Sequence, residues 1–479
     1  VIVYDPRLDG LITLNLGILA SLLVFLQKFM LNNIGISSDS GAKSTDAIAP
    51  ILAPLLGEGG FCLWDLSAET RSPITQALGT NPSLSGIAYP CTVAELADII
   101  THSDRHGWGI LPYGSGSKLN WGGIGKNIQL AISTQRLNQI VDHAVGDLTV
   151  TVEAGVKFSD LQATLAPTGQ FLPLDPAYPQ EATIGGIIAT ADTGSLRHRY
   201  GGVRDLLLGI TFVRADGQIA KAGGRVVKNV AGYDLMKLFT GSYGSLGILT
   251  EVTLRVYPIP EASGTVVLTG RVEAIASITK TLLASSLTPH AADLLSPAVV
   301  AQLGIGEGMG LCVRFQSITD SVKQQAAQTL EMGTQLGLQG NLYLEDDAHL
   351  WQRLPEPIFA ASHKPAIICK IGVSLTAATT TLTQLEALTS GPTIGLIHAG
   401  SGLGLLRLEP TVSADTILQM RQICQEHNGF LTVLEAPISL KEQLDVWGYS
   451  GNALELMRGI KQKFDPKSLL SSHRFVGGI

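Results

Sequence analysis

No two of the five cysteines (Cys62, Cys91, Cys312, Cys369, Cys424) form a C-x-x-C pair. That spacing gives no iron–sulfur cluster and no thiolate zinc site. Scattered and odd in number, they read as reduced core thiols in a cytoplasmic protein. Charge is also scarce: 15% of residues are charged, the net charge is −7, and no basic run occurs. Nothing here favours a nucleic-acid partner. Two common phosphate-binding signatures are missing as well. The Gly116-Ser117-Lys118-Leu119 run lacks the Gly-Lys-[Ser/Thr] of a P-loop. The third glycine of a Rossmann fingerprint is replaced by Leu119, which disfavours NAD chemistry. Internal repeats and low-complexity tracts are absent.

What remains is a long, apolar, glycine-rich chain: 479 residues, 45% hydrophobic, with 53 glycines. That length supports two or three domains and a large core. The stretch 11–30, LITLNLGILASLLVFLQKFM, is almost wholly apolar and approaches the ~20 residues that span a bilayer. It reads as an anchor or an uncleaved signal-like segment, though Asp5, Arg7 and Asp9 make a weak flank for either. The first residue is Val, which fits a non-standard start codon or translation from upstream of the true start. Residues 1–45 are thus an apolar segment and linker, with Ser/Gly/Ala/Pro-rich sequence over 37–54. Peripheral membrane association is left open.

From Tyr89 onward the texture is that of an α+β protein. Thr92 and Glu95 make a capping box before a helix that ends near Gly107. Strands are predicted over 109–112, 128–133, 148–153, 205–213 and 247–256, a strand or turn over 137–143, and a helix over 158–166. Asp234 is expected to cap a helix over 235–239. After Pro258-Ile-Pro260 a second region, 262–430, mixes strands (264–270, 310–316, 366–373, 403–408) with amphipathic helices (321–336, 376–388, 414–426). That pattern suits a cap domain on an antiparallel sheet. A helix over 452–464 leads into the tail.

Three small-residue segments carry the chemistry. The first is PYGSGSKLNWGG, residues 112–123. Its small residues let successive N–H groups converge as an anion nest suited to a pyrophosphate, although an ordinary glycine-rich turn would look the same. The second is PQEATIGG (179–186) with ADTGSLRHRYGG (191–202), where Gly185-Gly186 allows backbone to approach a planar ring. The third is GGRVVKNVAGYDL (223–235) with GSYGSLGI (241–248). Turns and core packing explain each piece alone, but explain the three in this order less well.

In order and spacing these segments resemble the FAD domain of the vanillyl-alcohol-oxidase (PCMH-type) family. More narrowly, YGSGSKLNWGG, ATIGG, GGRVVKNVAGYDLMKLFTGSYGSLGILTEV and FDPKSLLSSHRF are similar to FAD-binding E subunits of glycolate oxidase (glycolate dehydrogenase). The likeness runs from about residue 85 to the end. It implies a two-subdomain FAD-binding domain over 85–260, an antiparallel-sheet cap over 262–430, and a segment over 431–479 that returns to the FAD domain. It also assigns cofactor contacts. Tyr113, Gly114, Ser115, Gly116, Ser117, Lys118 and Leu119 form the pyrophosphate loop. Asp175, Pro176, Thr183, Ile184, Gly185 and Gly186 line the diphosphate and ring, Gly194 and Ser195 lie nearby, and Gly247 and Ile248 meet the adenine or ribose side. Relatives with covalent flavin carry His where this chain has Ser117, so the FAD is expected to be non-covalent.

The implied reaction is oxidation of a small 2-hydroxy acid such as glycolate, for which no catalytic residue is assigned. The related catalytic subunit carries H-x-G-D-G-N-x-H, whereas this chain has His398-Ala-Gly-Ser-Gly-Leu-Gly-Leu405, with Ser401, Leu403 and Leu405 replacing Asp, Asn and His. Alone, His398 reads as structural. Arg197, Arg199 and Arg407 are candidates for a carboxylate, or equally for surface or phosphate-facing roles. The first expectation is a flavin-bearing subunit that passes electrons on, partnered by a catalytic flavoprotein subunit and an iron–sulfur subunit. The alternatives are a self-sufficient FAD-dependent dehydrogenase of D-lactate or another 2-hydroxy acid, and a flavin-free structural subunit.

Overall fold

Alternation of side chains along the strands decides which residues meet. On Ile367–Gly372, the residues Ile367, Cys369 and Ile371 enter one apolar core, while Ile368 joins a different cluster with Trp121 and Ala177. Lys370 therefore shares a face with Ile368. In the computed structural model the described residues are 48–479, except 65–67, 80–81, 226–232, 345–346, 360–365, 390 and 392. The apolar stretch 11–30, most of the linker and the centre of the third glycine-rich segment lie outside them. No helix of the described residues is long and apolar enough to cross a membrane.

Three sheets organise the chain. A four-stranded sheet has the order Phe61–Leu63, Gly86–Ala88, Leu130–Ser133, Ile110–Tyr113, and its last two pairings are parallel. A five-stranded antiparallel sheet runs Ile140–Ala144, Thr149–Glu153, Ile248–Arg255, Leu207–Val213, Ile219–Gly223. An eight-stranded antiparallel sheet runs Gln339–Tyr343, Ala262–Gly270, Met309–Ser317, Ala291–Leu295, Ile394–His398, Leu403–Leu408, Ile367–Gly372, Phe430–Glu435. Residues from the helices Val272–Ala284, Thr319–Gln335, Ala378–Ala387 and Ala414–Glu426 share a core with one face of the large sheet. Burying one such Leu or Ile contributes roughly 1.5–3 kcal/mol, and the shared core holds many of them. The other face carries Ile368 and Leu434 against Trp121 and Ala177.

The chain's end returns to its beginning. Leu470 bridges to Ile110 in parallel, with Ile110 N–H donating to Leu469 O at 2.7 Å and Ser471 N–H to Ile110 O at 2.9 Å. This single bridge ties the tail to the edge of the four-stranded sheet beside the first glycine-rich loop.

Several local expectations are refined. Thr92 Oγ1 accepts from Glu95 N–H at 3.1 Å, but the Glu95 carboxylate reaches past the cap to Cys91 N–H at 2.7 Å. Residues 205–206, expected in a strand, end the helix Val203–Leu206, and the strand begins at Leu207. Asp234 stands at the helix start but makes no side-chain cap; its carboxylate pairs with Lys237 instead. A cation one turn on competes for an acid at the N-cap, which sequence alone does not reveal.

Candidate active site

The loop after Ile110–Tyr113 forms one wall of a cleft. Its turn closes with Leu119 N–H on Gly116 O at 3.1 Å, and Gly116 has φ +89°, a conformation that suits glycine. Among the described residues none accepts a hydrogen bond from the amides of Gly114, Ser115, Gly116, Ser117 or Lys118. The Ser115 hydroxyl is likewise buried without a partner. Five consecutive unpaired amides and an orphaned hydroxyl match what a diphosphate requires. A methyl at Gly114 would overlap the Thr183 side chain, so the loop sits directly on the start of the helix Ile184–Thr190.

The cleft holds about 840 Å³ of non-atom space, open solvent included. Tyr113 to Leu119, Thr183, Gly185, Gly186, Gly247 and Ile248 line it. Sequence reasoning missed Thr134, Ala154, Ala189, Tyr243, Ser471 and Arg474, which also line it. Five expected contacts are not in that lining. Ile184 is 1% exposed and turned into the core. Asp175 accepts from Gly194 N–H at 2.9 Å and Leu196 N–H at 3.0 Å, joining Asp175, Gly194 and Ser195 into one knot outside the cleft lining. Pro176 adjoins that knot in sequence and is not in the cleft lining.

The knot belongs to a second group of polar residues. Asp293 and His398 are directly opposed across neighbouring strands. Each stands on the face away from the core that holds Leu294 and Ile397. His398 Nδ1 lies 2.8 Å from Asp293 Oδ1 and 3.1 Å from Ser195 Oγ, and the Ser195 hydroxyl donates to Asp293 Oδ2. Burial alone would lower the His398 pKa, but the charge and hydrogen bond of Asp293, with Asp175 beyond, leave it raised. Asp175 is itself pushed up to about 6 by burial, against the two amides and His398.

Two lysines connect this group to the cleft. Lys118 forms a buried ion pair with Asp192 at 2.6 Å, and Asp192 also accepts from Ala177 N–H at 2.9 Å. Lys370 has no hydrogen-bond or ion-pair partner among the described residues. Burial lowers its pKa, Asp192 opposes this, and Arg197 and Lys118 add to it. The Arg197 guanidinium also has no described partner. Asp293 and Lys370 carry no motif. Their only sequence signal is a charge at a strand position flanked by core residues, Ala292 and Leu294 for one, Cys369 and Ile371 for the other.

With this geometry in place, likeness to known proteins becomes informative. Residues 84–223 match the FAD binding domain family. The chain is 36% identical over 211 residues to the glycolate oxidase subunit GlcD of Bacillus subtilis, covering 44% of this chain and 45% of that protein. It is 43% identical over 125 residues to the Escherichia coli glycolate oxidase subunit GlcE, covering 26% of this chain and 36% of that protein. A probable mitochondrial D-lactate dehydrogenase of Danio rerio is 27% identical over 424 residues, with 80% and 83% covered. The matches to the two glycolate oxidase subunits thus span less than half of those relatives. Among solved structures, a 4-ethylphenol oxidase from Gulosibacter chungangensis superposes with a TM-score of 0.70 at 14% identity, covering 92% of this chain and 98% of that one. The chain therefore has the PCMH-type fold, α+β with an antiparallel-sheet cap, as the sequence implied. Residues 84–223 carry an FAD-binding domain.

Proposed function

We propose that this chain itself oxidises the CH–OH group of a small 2-hydroxy acid to the 2-oxo acid, at the polar group that Lys118 links to the cleft. The observation that carries this is the buried His398–Asp293 pair within electrostatic reach of Lys370, an interior cation with no described partner. Such a reaction needs a cation for the carboxylate, a base for the hydroxyl proton and an acceptor for the hydride. Lys370 and Arg197 supply the first. His398 supplies the second: with Nδ1–H donating to Asp293, Nε2 is the atom that takes the proton. FAD, when bound, supplies the third. The amides Gly114 to Lys118 with Ser115 Oγ hold its diphosphate, and Gly185 and Gly186 let its ring approach the backbone. Among the described residues no His or Cys lines the cleft, which supports non-covalent attachment.

D-lactate is the first substrate to test and glycolate the second, because the lactate dehydrogenase relative covers most of the chain. A second reading, a glycolate oxidase subunit working with a catalytic flavoprotein and an iron–sulfur subunit, is favoured by the GlcE likeness and by Ser401 and Leu405 in place of an acid and a second histidine. Anaerobic addition of D-lactate or glycolate to the purified single chain separates the two. Flavin bleaching within seconds supports the first reading; a yellow protein that neither acid bleaches rejects it in favour of the second.

A further inference from the structure

The stretch that follows the cleft loop sends its carbonyl groups to two buried cations in alternation. Leu119 O, Trp121 O and Gly123 O accept from the Arg474 guanidinium at 2.7, 2.6 and 2.7 Å. The intervening Asn120 O and Gly122 O accept from Lys441 Nζ, the latter at 3.2 Å, and Asn120 Oδ1 adds a contact at 2.7 Å. Arg474 also reaches Ala77 O at 3.2 Å. Arg474 comes from the C-terminal tail and Lys441 from the short helix Ile438–Lys441. They are 4% and 6% exposed, and neither has a carboxylate at ion-pair distance among the described residues.

Carbonyl dipoles solvate a cation but do not cancel its charge. Two positive charges therefore stand behind a loop whose next five amides upstream are unpaired, and Arg474 itself lines the cleft. An anion in the cleft would balance these charges. On the reading that this loop holds the FAD diphosphate, we infer that Arg474 and Lys441 are its counter-charges and the positioning residues for its loop, and that FAD binding takes up a proton at Lys441.

The charged groups facing Lys441 are Arg474 from the tail and Glu435 from the strand Phe430–Glu435. The Glu435 carboxylate is already held by Trp121 Nε1 at 2.9 Å and Tyr178 OH at 2.6 Å. Burial, then Arg474, bring the Lys441 pKa down to about 7, with Glu435 opposing. A nearby diphosphate raises it again, so the complex binds a proton that the apoprotein has lost above pH 7. Affinity is then highest below pH 7 and falls as pH rises.

Titration of FAD into apoprotein, followed by quenching of flavin fluorescence at pH 6, 7 and 8, tests the inference. Wild-type affinity should weaken about tenfold between pH 6 and 8. Lys441→Arg, which stays charged throughout, should bind with no pH slope over that range. Lys441→Met should bind about tenfold more weakly than wild type at pH 6, also without slope. A wild-type slope retained in Lys441→Arg, or wild-type affinity at pH 6 in Lys441→Met, overturns it. Gly114→Ala in parallel keeps the underlying reading separate: FAD retained there removes the diphosphate from this loop altogether.

Discussion

At the scale of single residues, His398 is held between opposing influences. Burial disfavours its charged form, whereas Asp293 Oδ1 at 2.8 Å favours it, and the net result is a raised pKa. A base must be neutral to accept a proton, so the rate of flavin reduction should climb with pH along a limb whose apparent pKa lies above the ordinary histidine value of about 6.5. Asp293→Asn removes the charge but keeps a hydrogen-bonding shape. That limb should then shift to lower pH while the maximal rate falls, by about 10²–10⁴-fold at most if orientation of the imidazole is lost as well. Stopped-flow reduction from pH 5 to 9 reads both quantities. An unmoved limb with an unchanged rate would show that His398 takes no proton from substrate.

At the scale of elements, the cleft depends on a loop lying against a helix start. Gly114 packs on Thr183, and Thr183 Oγ1 accepts from Gly186 N–H at 3.4 Å. A Cβ at Gly114 pushes one of these apart, so Gly114→Ala should purify with a depressed ratio of flavin to protein absorbance and bind FAD at least tenfold more weakly, while its far-ultraviolet circular dichroism is retained. This loop was legible in the sequence because glycines and small polar residues cluster only where backbone must approach something closely. The strand Leu403–Leu408 and the helix Ala414–Glu426 were legible from apolar periodicity alone. The second polar group was not. Asp175, Asp293, Lys370 and His398 come from four separate stretches, and Asp293 meets His398 only through the pairing of two strands about a hundred residues apart. A one-dimensional pattern shows that Asp293 faces away from one core. Which residue it then faces depends on strand order, and that order is set by the whole sheet.

At the scale of the whole molecule, the chain's last residues close over its early ones. Leu469, Leu470, Arg474, Val476 and Ile479 are at most 8% exposed, and contacts such as Arg474 to Leu119 span 355 positions of sequence. The tail thus supplies a bridge to the edge of the sheet that carries the cleft loop, a cation behind that loop, and a wall of the cleft through Ser471 and Arg474. The large sheet has its own helices and most of its own core, to which the tail adds only Val476 and Phe475. Removing residues 469–479 should therefore separate two properties that usually fail together. The eight-stranded sheet should stay folded, visible as a protease-resistant fragment covering 262–435, while FAD binding is lost and the region before residue 260 becomes sensitive to proteolysis. A truncated protein that stays yellow through gel filtration would mean that the loop holds its shape without the tail, and that the long return of the chain serves only to cover apolar surface.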